Sequence, residues 1–249
     1  MKPGFSLKRR IKTILSIFII SLMILNLGVT AGTAEALNLP GQNVSGVLVI
    51  AHGSPASQEA WNVPVRQVVK ELQSQLPFPV ELGFLEYVSG EDIHDAVHKL
   101  ENRGVNHIIA VPLFISSASE HMEEIKYILG LPSNYTGHEP TEIPGHGGGH
   151  GGGEPEEELT PVDTRASIEL TPGLDDHRLI AEILSNRLQT FSTDPVQEAL
   201  ILAAHGPGEE QYQEAWENHL NSLGSRLQQK HGFKLVKLNM DMWLLASQK

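Results

Sequence analysis

Cysteine is absent from the 249-residue sequence. Its absence excludes disulfide bonds, thiolate metal sites, iron–sulfur ligation by this chain and a lipidated N-terminal cysteine. Any transition metal that the chain binds must therefore be held by histidine, aspartate or glutamate side chains.

Basic residues are scarce, with 18 lysines and arginines against 30 acidic residues and a formal net charge of −12. The average field of such a chain repels nucleic acid and anionic membrane surfaces, so neither is expected as the main partner. Hydrophobic residues make up 40% of the chain, which is enough for the core of one large or two modest domains.

The one long hydrophobic run lies at the N-terminus. The basic segment MKPGFSLKRRIK precedes an apolar run of about 16 residues, and Ala34-Glu35-Ala36 provides a small-x-small cleavage site. We interpret residues 1–36 as a signal peptide, which predicts an exported, periplasmic or otherwise extracytoplasmic protein with a mature chain starting near Leu37. The run is slightly short for a membrane-spanning helix, so an uncleaved membrane anchor is the alternative.

From Gly46 onward, short aliphatic runs alternate with helical patterns, which predicts an α/β fold with an open, mainly parallel sheet flanked by helices. This first domain is predicted to span residues 44–192. The predicted strands are 46–51, 80–87, 107–115 and 165–170, and the predicted helices are 61–76, 91–104, 119–130 and 175–191. Helical spacing places Trp61 on the same apolar stripe as Val68 and Leu72.

Residues 132–164 interrupt this alternation. They include GHEPTEIPGHGGGHGGGEPEEE, which has no apolar periodicity, and we predict a flexible insertion rather than a domain boundary. His138, His146 and His150 in this segment are a weak signal for metal capture, because a glycine-rich chain supplies no fixed ligand geometry.

A partial second repeat is predicted over residues 198–249. ALILAAHGP follows the plan of GVLVIAHGSP, and each is followed by the tetrapeptide QEAW on a predicted helix. Two shared words in the same order favour an internal duplication with an incomplete second copy. A short strand–helix–strand unit cannot cover both faces of its sheet, so it must pack on the first unit or on another chain, and a homo-oligomer is one alternative.

Three strand ends carry candidate metal ligands. His52 follows the first strand, Glu86 ends the second, and His121 lies on the first turn of the helix after the third. Because ligands bind at the carboxyl ends of strands in an open parallel sheet, these side chains are expected to meet at one edge. Imidazole and carboxylate groups suit Co²⁺, Ni²⁺, Fe²⁺ or Zn²⁺, and a neutral imidazole also accepts protons near pH 7.

Each of the three residues also has a simpler interpretation when taken alone. His52 fits a buried core histidine, Glu86 a solvated carboxylate and His121 a surface residue of its helix. Their occurrence at three successive strand ends favours a common site. Three further histidines are interpreted as surface residues, namely His94, His98 and His107.

These motifs resemble a known family. VLVIAHGSP, GFLEY, VPLFISSASEHMEEI and PGLDDHRLIAEIL are similar to motifs of the CbiX-type sirohydrochlorin chelatases, the class II tetrapyrrole chelatases. The resemblance covers most of residues 45–131 and 165–190, with the partial copy at 199–245. It implies a three-layer chelatase-like fold and a lyase that inserts Co²⁺, or else Ni²⁺ or Fe²⁺, into sirohydrochlorin or a related tetrapyrrole for cobalamin or siroheme biosynthesis. It implies no organic cofactor.

The resemblance also implies residue roles. His52 and His121 would bind the metal and accept protons, Glu86 would be a supporting ligand or relay, and Glu124 would orient His121. The glycine that often precedes the family's histidine is missing from SSASEH, which puts the local backbone in question. The available cations for a substrate rich in carboxylates are Arg66, Lys70 and Lys126.

Export is unexpected for a biosynthetic chelatase, whose substrate is made in the cytoplasm. The signal peptide, the incomplete second repeat and the histidine-rich insertion together favour a second hypothesis. In it, the chain is an exported metal- or tetrapyrrole-binding protein that uses the chelatase fold without turnover.

Overall fold

The computed structural model describes residues 43–54, 57–86, 88–137 and 159–239. The predicted signal peptide, the glycine-rich centre of the insertion with His138, His146 and His150, and the last ten residues lie outside the described residues. Within the described ranges, no helix is both long enough and apolar enough to cross a membrane.

A parallel four-stranded sheet forms the centre of a first compact unit. Its strands are β1 (Ser45–Ala51), β2 (Val80–Phe84), β3 (His107–Pro112) and β4 (Ser167–Leu170). They are arranged in the order β2-β1-β3-β4, and every pairing is parallel. Every residue of β1 after Ser45 is buried, as expected for an interior strand of a parallel sheet that is covered on both faces. The predicted α/β architecture with a parallel sheet is confirmed.

Two helices complete this unit, α1 (Val63–Gln75) and α2 (Ile93–Asn102). The side chain of Asp92 caps α2 by accepting a 2.7 Å hydrogen bond from the amide of Asp95. Helix α2 packs closely on β2, because a Cβ atom at Gly83 would lie 2.9 Å from the Cα atom of Ile93. Only glycine allows this approach of helix to sheet.

Among the described residues, the second compact unit comprises residues 114–127, 132–137 and 172–239, with residue 159. Its elements are α3 (Glu120–Ile128), α4 (Arg178–Leu188), β5 (Ala199–Ala203), α5 (Gln213–His231) and β6 (Leu235–Asn239). Strands β5 and β6 form a parallel pair. Their buried leucines pack against α5, and the apolar side chains of α4 pack against the same cluster.

These units divide the chain differently from the predicted domains. Helix α4 follows β4 in the strand–helix alternation, which is why the sequence assigned it to the domain 44–192. In the structure, α4 and residues 114–127 have most of their contacts with the region that contains β5, α5 and β6. The domain limits and the internal duplication stay predictions.

Trp61 departs from its predicted position on the apolar stripe. Val68, Val69 and Leu72 are buried on α1, but 68% of Trp61 is exposed. The reason is local: residues Gln58–Asn62 form a π-helical turn rather than the first turn of the α-helix. A wider turn changes the direction of each side chain, so the 3.6-residue spacing does not apply there.

Both described ends of the predicted flexible insertion form hydrogen bonds with helix α3. At one end, the carboxylate of Glu123 accepts hydrogen bonds from the amide of Asn134 (2.7 Å) and from the ammonium of Lys126 (2.6 Å). At the other end, Val162 is buried and donates its amide proton to the carbonyl of Ile128. These hydrogen bonds concern only the described ends of the predicted insertion 132–164, which stays a prediction.

Glu123 is a buried carboxylate, with 9% of the residue exposed. Burial alone would raise its pKa. The hydrogen bonds from Asn134, Lys126 and Ser133 outweigh burial, and together they hold the pKa of Glu123 below its ordinary value of 4.5.

Replacing this charge tests the anchor. Because the folded pKa of Glu123 is lowered, its ionised form stabilises the fold fully above pH 4.5, and this stabilisation is lost as the pH falls through the folded pKa. We expect Glu123→Gln to lower the free energy of unfolding by about 1–3 kcal/mol at neutral pH. Urea unfolding of both chains at neutral and acid pH measures the difference, which should shrink in acid. Glu182→Gln, at an exposed carboxylate of α4, is the control; an equal loss in that variant would contradict the prediction.

Candidate metal centre

His52 is placed by the end of β1 and by the glycine that follows it. Its Nδ1 atom lies 2.9 Å from the carbonyl oxygen of Gly53. A carbonyl only accepts hydrogen bonds, so Nδ1 is the donor in this contact, and Nε2 is the ring nitrogen on the side of Glu86. The turn requires glycine, since Gly53 has φ +83° and a Cβ there would lie 2.9 Å from the Cβ of Phe84.

Glu86 is brought beside His52 by continued pairing of β1 and β2 beyond their last ladder residues. The amide of Leu85 donates to the carbonyl of Ala51 (2.9 Å), and the amide of Glu86 donates to the carbonyl of His52 (2.7 Å). As a result, Glu86 Oε1 lies 3.8 Å from His52 Nε2. The carboxylate is 19% exposed and the imidazole 50% exposed, so the pair faces open space rather than the core.

His121 lies at the second position of α3, the helix that follows β3. Ser119 caps this helix: its hydroxyl accepts a hydrogen bond from the amide of Met122 (3.3 Å). The imidazole of His121 packs against the ring of Phe114, with the two ring centroids 5.8 Å apart. The sequence analysis did not single out Phe114, although its place at the end of an apolar strand pattern was a signal for a buried side chain.

The glycine missing before His121 is not needed. The described loop 114–119 has no residue with positive φ. Its backbone therefore adopts conformations that serine and alanine accept without strain.

His52, Glu86 and His121 each offer one ligand atom, and these three atoms lie within 4.8 Å of one another. Within the described residues, no other group of three such side chains meets this condition. Two donors that bind one ion at about 2.1 Å are at most about 4.2 Å apart, so the 3.8 Å between His52 and Glu86 already suits a shared ion. Three protein ligands leave coordination positions open, as in metal sites that exchange ligands with a substrate.

Two of the three cationic residues proposed for the substrate form ion pairs with glutamates outside the candidate metal centre. Arg66 forms a forked ion pair with Glu91 through Nε and a terminal nitrogen, and its guanidinium lies 5.5 Å from the ring centroid of Phe84. Lys126 pairs with Glu123. Lys70 lines a shallow surface cavity of about 300 Å³ on α1. Glu124, predicted to orient His121, is buried one turn further along α3.

The remaining described histidines of the first unit have surface partners, in agreement with their predicted roles. Nε2 of His94 lies 2.9 Å from the carbonyl of Thr160. His98 and His107 lie 3.5 Å and 3.9 Å from the carboxylates of Glu101 and Glu169.

His205 reproduces the local conformation of His52. Its Nδ1 atom lies 2.5 Å from the carbonyl of Gly206, which has φ +77°. The imidazole packs against Trp216, with ring centroids 5.1 Å apart. Among the described side chains, His205 belongs to no group of three metal-binding residues, so the shared word does not bring the shared ligands.

Comparison with known proteins gives related sequences. The sirohydrochlorin cobaltochelatase of Methanothermobacter thermautotrophicus is 32% identical over 95 residues, which cover 37% of this chain and 63% of that protein. The sirohydrochlorin cobaltochelatase of Sulfolobus acidocaldarius is 33% identical over 89 residues, which cover 36% of this chain and 69% of that protein. The chain thus spans less than two thirds of the first relative and slightly more than two thirds of the second.

A solved structure shares the fold. The sirohydrochlorin chelatase SirB from Bacillus subtilis subspecies spizizenii, determined in complex with cobalt, superposes with a TM-score of 0.53 over 82% of this chain and 70% of its own. Its sequence identity of 13% supports the fold alone. The profile of the CbiX family matches residues 46–191, which is more than half of the sequence. This chain belongs to the CbiX family.

Proposed function

We propose that this chain is a metal chelatase that inserts a divalent ion into sirohydrochlorin or a related tetrapyrrole, with Co²⁺ as the favoured ion and Ni²⁺ and Fe²⁺ as alternatives. The observation that carries the proposal is the convergence of the ligand atoms of His52, Glu86 and His121. Membership of the CbiX family and two relatives named as sirohydrochlorin cobaltochelatases support it.

Metal insertion releases two protons from the pyrrole nitrogens of the macrocycle for each divalent ion that enters. The reaction therefore needs groups that hold a partly dehydrated ion and groups that accept protons. The Nε2 lone pair of His52 suits either task. Glu86, at 3.8 Å, stabilises the positive charge of an imidazolium or of the ion itself. We assign the second imidazole to His121.

The exposure of His52 supports a large substrate. A tetrapyrrole reaches metal ligands only where they face open space, and half of the His52 side chain is exposed. The open coordination positions left by three protein ligands give the macrocycle nitrogens a place to bind as the ion is transferred. All the groups that this scheme requires are protein side chains and the two substrates.

Removing a ligand should abolish turnover. We expect His121→Ala to lower the rate of Co²⁺ insertion by about 100-fold or more, because a ligand and a proton acceptor are lost together. The visible spectrum of sirohydrochlorin mixed with Co²⁺ and purified protein follows the reaction. His98→Ala is the control, since this exposed histidine lies beside Glu101 and belongs to no group of three metal-binding side chains among the described residues. Equal loss in both variants, or a native rate in His121→Ala, would contradict the assigned site.

The histidine-rich insertion should act only when metal is scarce. Its sequence supplies imidazoles without a fixed arrangement, so we expect it to collect ions rather than to take part in transfer. Deleting residues 138–153 should lower the insertion rate at limiting, buffered Co²⁺ and leave the rate at saturating Co²⁺ unchanged. Initial rates over a range of buffered Co²⁺ concentrations measure this. A deletion as damaging as His121→Ala at saturating metal would reject the division between site and collector.

The N-terminal sequence favours a second candidate function, an exported metal- or tetrapyrrole-binding protein without turnover. A basic segment, an apolar run and a cleavage site are the pattern of export. We accordingly propose an extracytoplasmic location, which fractionation of cells and sequencing of the mature N-terminus test. Tight binding of Co²⁺ or sirohydrochlorin, with no insertion above the spontaneous rate for any of the three ions, would favour this function over the chelatase.

A further inference from the structure

Two loops of the second unit are joined along their lengths. The first, residues 114–119, connects β3 to α3, and the second, residues 172–177, precedes α4. The amides of Leu174 and Asp175 donate to the carbonyls of Phe114 (2.8 Å) and Ile115 (3.0 Å). Gly173 lies so close to the first loop that a Cβ atom would meet the Phe114 carbonyl oxygen at 3.0 Å.

Asp175 closes this junction with its side chain. Oδ1 accepts a 2.6 Å hydrogen bond from the amide of Ser117, and Oδ2 accepts one of 2.7 Å from its hydroxyl. Ser117 Oγ in turn accepts a 2.8 Å hydrogen bond from the amide of Gly173. Asp175 has φ +44°, and it is the only non-glycine residue with positive φ in the described chain. A strained backbone at one residue persists only where its surroundings hold it, and the two bonds to Ser117 do so here.

Helix α5 supports the first loop from another direction. The indole N–H of Trp216 donates to the carbonyl of Ala118 at 2.8 Å, and the residue is 5% exposed. Nδ1 of His219 makes no hydrogen bond within the described residues and lies 3.6 Å from Asp175 Oδ1. The tryptophan belongs to the second QEAW word, whose counterpart, Trp61, is 68% exposed. The two tryptophans therefore differ in environment: Trp216 is buried and Trp61 is exposed.

This network ends at His121. The 114–119 loop continues through the cap Ser119 into the first turn of α3, where His121 lies. The loop also supplies Phe114, whose backbone carbonyl is bound by Leu174 and whose ring contacts the imidazole of His121. Any shift of the loop would therefore displace both the backbone and the packing surface of this histidine.

We propose that Asp175 and Trp216 are positioning residues that hold the 114–119 loop and thereby fix His121 as a metal ligand. The inference rests on the proposed metal site. It gives the region of the predicted second repeat a function: its helix α5 supports the proposed ligand His121, although its own histidine, His205, has no ligand partners among the described residues.

The test compares two neighbouring aspartates in the full chain. Asp175→Asn removes the charge that binds Ser117, and asparagine tolerates positive φ. Asp176→Asn is the matched control, because Asp176 bonds Ser222 and Arg226 on α5. Trp216→Phe keeps an aromatic side chain at this buried position, makes it smaller, and removes the donor to Ala118. Each variant is titrated with Co²⁺ while its visible absorption and its thermal unfolding midpoint are recorded, and His121→Ala identifies the absorption that depends on His121.

We expect Asp175→Asn and Trp216→Phe to weaken the His121-dependent Co²⁺ binding by about 10-fold, the low end of the effect of losing a residue that orients a ligand. Their spectra at saturating Co²⁺ should shift towards that of His121→Ala, whereas Asp176→Asn should keep the native affinity and spectrum. A merely structural role would lower the unfolding midpoint without changing the spectrum.

Native affinity and spectrum in Asp175→Asn would overturn the inference, as would an equal loss of affinity in Asp176→Asn. If Asp175→Asn fails to fold, Trp216→Phe decides by the same criteria. If His121→Ala itself binds Co²⁺ with the native affinity and spectrum, the proposed metal site fails, and this result is separate from a failure of the positioning residues.

Discussion

Parallel pairing on both sides of β1 is the constraint on which the site depends. Val47, Leu48, Val49 and Ile50 are fully buried, so the register of this strand is determined by the core. The pairing continues past the strand ends, because His52 accepts the amide of Glu86 and Ile50 accepts the amide of Leu113. Because β1 is hydrogen-bonded on both sides up to its end, the backbone position of His52, the residue that follows it, is restricted. The candidate ligands that follow β1 and β2 are thus placed by main-chain hydrogen bonds, before any side chain contributes.

This dependence explains why the sequence predicted the fold, and why it also predicts three candidate ligands at one edge of the sheet. An aliphatic run without polar alternation indicates a strand buried on both faces, and strands of that kind are parallel and end at one edge. His52, Glu86 and His121 were then selected by position alone, one after each successive strand. Trp61 was predicted less well. A π-helical turn has no distinct periodicity in a short segment. The α-helical spacing therefore assigned Trp61 to the apolar face of α1, although it lies in the turn before this helix.

The supporting network of His121 could not be predicted from local patterns. Asp175 is 58 residues from Ser117 along the chain, and Trp216 is 98 residues from Ala118. Hydrogen bonds over such separations have no periodic signature, and a positive φ at an aspartate has none either. The hydrogen bonds at the start of the predicted insertion have no local signature either. The glycine- and proline-rich context predicts a flexible segment from residue 132, and the structure shows Ser133 and Asn134 donating hydrogen bonds to the buried carboxylate of Glu123.

The two AHG words show what distinguishes a metal site from a repeated motif. His52 and His205 have the same turn, the same ring contact with the following glycine carbonyl and the same left-handed glycine. The conformation of the word is therefore intrinsic to the strand–turn sequence. Its chemistry is not, because a metal ion needs further donors from neighbouring strand ends, and only His52 has them among the described residues. The partners in the adjacent loops, rather than the motif itself, distinguish the candidate metal site at His52 from the second AHG word.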